Sequence, residues 1–161
     1  MKLNKSKLIQ RWKELNLSKY MKDGSFCMTR AGHTRAVAYL EHCHSGVLTA
    51  RAYAAGTYLG TLSHEEGMDM LKKLESIQCR EKDSEMYGCS RWYFEETQIA
   101  DTNGAFFITM PLLQLCTFSP ESIPQAHWEL LLTLFSSSIR WFQRECRRLQ
   151  FLFAGSGVNI L

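Results

Sequence analysis

The stretch MYGCSRWYFEETQIADTNGAFFITMPLL, residues 86–113, carries the decision about the fold. Its first half sets rings beside carboxylates without a helical period, in the run Arg91-Trp92-Tyr93-Phe94-Glu95-Glu96. Its second half is almost wholly apolar once Asp101-Thr102-Asn103 is passed. A loop therefore feeds directly into a helix. Asp101, Thr102 and Asn103 are all good N-cap residues, because a short polar side chain can accept a hydrogen bond from an amide of the first turn. The helix that follows, GAFFITMPLLQLCTF, is apolar on nearly every side, the pattern of a helix enclosed by others. Pro111 within it is expected to kink it or shorten its first half.

Working outward from this helix, periodic segments recur on both sides. After Ser6, the apolar positions Leu8, Ile9, Trp12 and Leu15 give an amphipathic helix ending before Asp23-Gly24. TRAGHTRAVAYLEHCH, residues 29–44, repeats the pattern through Ala36, Val37, Leu40 and Cys43 and stops at Ser45-Gly46. Residues 47–60 are rich in Ala and Gly and read as a helix able to approach a neighbour closely, although Thr and Tyr also allow a strand. Ser63-His64-Glu65-Glu66 has the S-x-x-E form of a capping box, and Met68, Leu71, Leu74 and Ile77 mark the buried face behind it. Residues 80–100 form one long loop, and long ordered loops tend to carry function. The last helix starts near Ser122-Ile123-Pro124 and runs through Trp128, Leu131, Leu132, Phe135, Ile139 and Phe142.

Six helices and no trusted strand predict an all-α fold, a two-layer array of antiparallel helical hairpins in a single domain over 1–161. Hairpins are expected over 25–146 and an irregular tail over 147–161. The length of 161 residues suits one core, and 45% apolar with 22% charged residues is ordinary globular composition.

The net charge of +3 is unevenly spread. Residues 1–23 hold seven Lys and Arg against two acids, and 140–148 hold four Arg against one Glu, leaving the middle net acidic. Two separated basic ends do not make the continuous stripe that nucleic acid requires, so no nucleic-acid partner is expected. Six cysteines without a CxxC pair, and no leading apolar segment, fit reduced thiols in a cytoplasmic protein. No apolar run has the roughly 18 to 20 residues of a membrane span, so no membrane partner is expected either.

Trp92, Tyr93 and Phe94 offer flat faces for a sugar ring, while Glu95, Glu96 and Asp101 offer acceptors or proton-transfer groups. Two carboxylates flanking a bond are the minimal equipment for glycoside hydrolysis. The competing reading is that the rings close the core, Asp101 caps the helix and the glutamates are solvated. A binding surface requires Trp92 or Tyr93 to stay partly exposed with one of Glu95, Glu96 and Asp101 turned toward it. His33, His42, Cys43 and His44 invite a metal reading, but 42–44 splay around a helix axis and no pair has one-turn spacing, so no metal is expected. Cys89 beside Arg91 lacks a neighbouring histidine and reads as a structural thiol.

With paired helices in view, YGCSRWYFEE followed by DTNGAFF resembles the early portion of an α/α-toroid protein of the six-hairpin glycosidase or heparinase-like lyase type. The resemblance covers roughly residues 25–146. It implies that the 87–103 loop lies at the mouth of a toroid, where such proteins bind carbohydrate. An oligosaccharide partner follows, with Arg91, Trp92, Tyr93 and Asn103 as binding residues and Glu95, Glu96 and Asp101 as unresolved candidates for catalysis; no cofactor is implied. A closed ring of six hairpins needs about twice the helices legible here. Half a ring, with an apolar uncapped ending at Ile160-Leu161, points to a truncated and inactive product or to a small helical interaction module. Exposed apolar helices would then associate with one another.

Overall fold

The computed structural model describes residues 4, 6–7, 9–10, 21–22, 25–28 and 32–154. Helix takes 61% and strand 5%, so the protein is mostly helical, consistent with an all-α class. Lys7, Ile9 and Gln10 are helical as expected, the helix already includes Ser6, which was expected to precede it, and 11–20 lie outside the described residues. Three short strands, β1 (Met21–Lys22), β2 (Ser25–Met28) and β3 (Cys43–Ser45), form an antiparallel sheet in that order. Met21 and Lys22 are thus strand where the first helix was expected to end.

The helix expected over 29–44 is not formed: 33–39 are bends and turns, and 43–45 pair with β2. Backbone partners decide this. The carbonyl of His44 accepts from Phe94 N–H at 3.0 Å, and Ser45 bridges Tyr93, so the segment gives its hydrogen bonds to the distant loop. Its apolar residues still go inside, with Val37, Cys43 and Tyr93 packed together. Periodicity located the buried residues but not the backbone that carries them.

Four helices follow among the described residues. Helix α1 (Gly46–Leu59) starts on Ser45, whose hydroxyl accepts from Leu48 N–H, and stops at Gly60, whose φ of 69° is the left-handed conformation that glycine adopts without strain. Helix α2 (His64–Ser76) begins with the complete Ser63–Glu66 capping box. Helix α3 (Asn103–Phe118) runs unbroken through Pro111. Two short 3₁₀ turns, Pro120–Ser122 and Gln125–His127, delay the last helix, so α4 spans Trp128–Ala154 rather than starting near Ser122. The tail expected to be irregular from 147 is helical to Ala154.

The contacts fix the helix directions. Gly46, at the start of α1, lies against Ile108 in the first half of α3, and Tyr58 shares a groove with Phe118 at the other end, so α1 and α3 run parallel. Ala105 packs with Trp141, and the Thr109 hydroxyl meets that of Ser138 at 3.2 Å, so α3 and α4 run antiparallel. The main core gathers Tyr53, Met70, Leu71, Leu74, Leu112 and Leu131 from all four helices. Each such side chain contributes about 1.5–3 kcal/mol of burial.

Helix α3 is not enclosed on every side. Phe106, Phe107, Leu113 and Phe118 are exposed, the last at 79%. Ile108, Leu112 and Leu115 supply its buried stripe. An all-round apolar sequence here has one face in the core and one in water.

Candidate functional site

The 77–102 loop is held at both ends. Cys79 N–H donates to the Cys89 carbonyl at 2.8 Å, and Arg91 N–H donates to the Ile77 carbonyl at 3.0 Å, tying the loop to the end of α2. The Gln78 amide Nε2 lies within reach of the Gly88 and Leu134 carbonyls and the Ser138 hydroxyl, fastening the loop to α4. Gly88, with φ of 84°, passes so close to the Ser137 carbonyl that no side chain fits. At the far end, Gly46 N–H donates to the Trp92 carbonyl at 2.8 Å, joining the loop to the start of α1.

The 91–96 turn is built around one carboxylate. Glu96 is 1% exposed and accepts from the amides of Trp92 at 2.8 Å and Tyr93 at 3.1 Å and from the Thr34 hydroxyl. Glu95 accepts from the His44 amide at 2.9 and 3.0 Å and pairs with the His44 ring. The Arg91 guanidinium donates to the carbonyls of Glu96 and Ser76, crossing to the last turn of α2. It lines a cleft of about 600 Å³ together with Glu75, Gln78, Arg80, Thr97 and Ile99. Residues 92–94 do not line that cleft.

Trp92 and Tyr93 point to different surroundings. Tyr93 is 3% exposed, against Val37 and Cys43. Its hydroxyl meets His33 Nδ1 at 2.8 Å and accepts from the His33 amide at 3.3 Å. Trp92 is half-buried. Its ring lies edge-on to His33, with centroids 4.5 Å apart, and tilted against Phe107 at 5.3 Å. Phe106 continues the run, 5.5 Å from Phe107. The Trp92 indole N–H is enclosed and meets no acceptor among the described residues.

Asp101 closes the group. Its Oδ1 accepts from Asn103 N–H at 2.9 Å, and its Oδ2 lies 3.5 Å from His33 Nε2. Asn103 is the exposed first residue of α3, so the capping oxygen belongs to Asp101. Of the three candidate carboxylates, Asp101 reaches Trp92 through His33, whereas Glu95 and Glu96 are committed to His44 and to the turn. The arrangement sets aromatic faces beside an imidazole whose two nitrogens meet a tyrosine hydroxyl and a carboxylate. It can stack against a flat apolar plate and hydrogen-bond hydroxyls.

His33 and His44 were legible only as candidate metal ligands, and their partners lie 60 and 51 residues away in sequence. Their chemistry comes from chain crossing, which no local spacing reports. Burial pushes the Cys89 thiol up to about 12, and its Sγ lies 3.6 Å from the Thr102 carbonyl, which makes it a packed thiol rather than a nucleophile. Among the described residues no group of three or more His, Cys, Asp or Glu could hold a metal ion, and no helix is long and apolar enough to cross a membrane. No protein-family model, curated protein or solved structure matches the chain.

Proposed function

We propose that the chain is a relative or a piece of a carbohydrate-active α/α-toroid protein, and that the junction of the 91–96 turn with α3 is its saccharide-binding surface. One observation carries this reading: half-buried Trp92 meets the exposed ring of Phe107, which Phe106 extends, and the ring of His33, whose Nε2 faces Asp101. Rings pack on the apolar face of a sugar, and the imidazole and carboxylate take its hydroxyls. The helix directions agree with the reading, since hairpins repeated around a ring place their first helices parallel, as α1 and α3 are. Glu95 and Glu96 are engaged within the protein, so no free carboxylate pair flanks a bond, and the reading is of binding rather than of two-carboxylate hydrolysis.

Titration of the protein with neutral and uronic-acid oligosaccharides, followed by NMR shifts, tests the proposal. Shifts should concentrate on residues 33, 92, 101–103 and 106–107. Trp92→Ala and the milder Phe106→Ala should each weaken binding by about tenfold, or about 1.4 kcal/mol. Absence of binding to every sugar tested, or binding unchanged in both variants, would rule the surface out.

A second reading rests on the outer face of α3, where Phe106, Phe107, Leu113 and Phe118 stand exposed over roughly three turns. Such a stripe suits a partner helix or a second copy. Light scattering distinguishes the readings: association that Phe118→Asp abolishes favours the interaction module, whereas a monomer at high concentration removes self-association as its function.

A further inference from the structure

The turn that leads into α4 is fastened by an imidazole inside the core. His127 is 1% exposed and sits between two elements. Its Nδ1 lies 3.0 Å from the Tyr53 hydroxyl of α1, and its Nε2 lies 3.0 Å from His64 Nδ1 and 3.2 Å from the His64 carbonyl, at the start of α2. The two imidazoles stack, with centroids 4.9 Å apart and planes inclined by 16°. Gly67 leaves room for the ring, since a Cβ there would fall 2.5 Å from His127 Cε1.

These partners assign the tautomer. A carbonyl oxygen can only accept, so Nε2 carries the proton and Nδ1 presents its lone pair to the Tyr53 O–H. The neutral ring satisfies both sides at once. A second proton on Nδ1 would point a donor at the Tyr53 hydroxyl and place a buried cation against the His64 ring. The titratable groups facing His127 are Tyr53 from α1 and His64 from α2. Cys116 of α3 lies beyond, on the Tyr53 side, and among the described residues no carboxylate contacts the ring.

We propose that His127 is an acid-operated latch: neutral, it holds the α3–α4 connection, residues 119–128, onto α1 and α2, and protonation releases that connection. The connection buries Ile123 and Ser119 and is built of short 3₁₀ turns, so it can open without unwinding a long helix. The inference does not depend on the saccharide surface, which lies at the start of α3.

Hydrogen exchange of the whole protein between pH 8 and 5, corrected for the intrinsic rate, provides the test. Protection of amides 119–128 should fall by up to about tenfold per pH unit below about pH 6.5, where an accessible histidine takes its proton. In His127→Gln the side chain keeps a donor and an acceptor but does not titrate, so the pH dependence should vanish. Constant protection in the wild type, or an equal dependence in His127→Gln, would overturn the latch. Should that variant fail to fold, imidazole ¹⁵N shifts of the wild type decide: protonation of His127 in step with lost protection supports the latch, and protonation with protection intact overturns it.

Discussion

Near the start of α1 the Tyr93 hydroxyl meets His33 Nδ1 at 2.8 Å, and farther along the Tyr53 hydroxyl meets His127 Nδ1 at 3.0 Å. The pairs share their chemistry and differ in what faces the other nitrogen. The His33 side chain is 49% exposed and its Nε2 looks toward the carboxylate of Asp101. His127 is buried and its Nε2 looks toward a carbonyl and a second imidazole. A carboxylate within reach accommodates a positive ring, whereas burial beside another imidazole opposes one. The same tyrosine–histidine contact thus stands at an open surface beside a carboxylate in one place and inside the core beside an imidazole in the other.

Glu96→Ala should break the first pair with the largest effect. The substitution removes the acceptor of two amides and the Thr34 hydroxyl from a site 1% exposed. Hydrogen bonds to a charged acceptor contribute about 1.5–3 kcal/mol each, part of which water recovers once the turn loosens, so a loss of about 3 kcal/mol is expected in urea melts. His33 and Tyr93 should separate, seen as a change in the His33 imidazole shifts, while those of His127 stay fixed. Glu95→Ala, which removes a partly exposed partner of His44, should cost less than 1 kcal/mol. Equal losses for the two glutamates would mean that the turn is not organised around Glu96.

A pH series sharpens the comparison at the second pair. Burial holds the His127 imidazolium below the ordinary histidine range; the hydrogen bond to the His64 carbonyl opposes it in part, and the His64 ring adds a smaller lowering effect. As pH falls through about 6.5 the unfolded chain takes its proton first, so the contribution is fully present above that pH and is lost as pH drops toward the folded value. Stability should decline by up to about 1.4 kcal/mol per pH unit in that window. His33→Ala should keep this slope and His127→Gln should flatten it. A slope removed by the His33 substitution would reverse the assignment of the two histidines.

The uneven legibility of the sequence has a physical cause. The Ser63–Glu66 capping box and the helices over 46–59 and 64–76 depend on contacts within a few residues, and their spacing reports them. Strand β3 pairs with β2 and with Phe94 and Tyr93 some fifty residues on, and His33 and Thr34 reach the side chains of Tyr93 and Glu96 about sixty residues on, so a helical period misled there. The loop over 80–100 and its junction with α3 were visible as a place where aromatic and acidic residues meet. Which carboxylate lay inside was not, because Glu95 and Glu96 are neighbours of equal polarity, and only the approach of Thr34 and His44 from elsewhere tells them apart. The outward face of α3 was hidden for a different reason: Phe106, Phe107 and Leu113 are as apolar as Ile108 and Leu112, and composition cannot reveal which face of a helix lacks neighbours among the described residues.

The smallest predicted effect separates Asp101 from Asn103 at the edge of the first pair. Both are short polar residues suited to cap a helix, and sequence alone left them equivalent. In the structure only Asp101 presents an oxygen to a first-turn amide, at 2.9 Å from Asn103 N, and its other oxygen faces His33 Nε2. A carboxylate there also favours the positive end of α3. Asp101→Ala should cost about 1 kcal/mol, and Asn103→Ala should change stability by only a few tenths, since alanine is the better helix former in the first turn. Asp101→Asn distinguishes cap from charge: the amide oxygen can still cap α3 but brings no negative charge to the positive end of the helix, so a loss of about 0.3–1 kcal/mol is expected at low salt. If Asp101→Asn instead costs as much as Asp101→Ala, the charge of the carboxylate rather than its hydrogen bond to Asn103 N–H holds the start of α3.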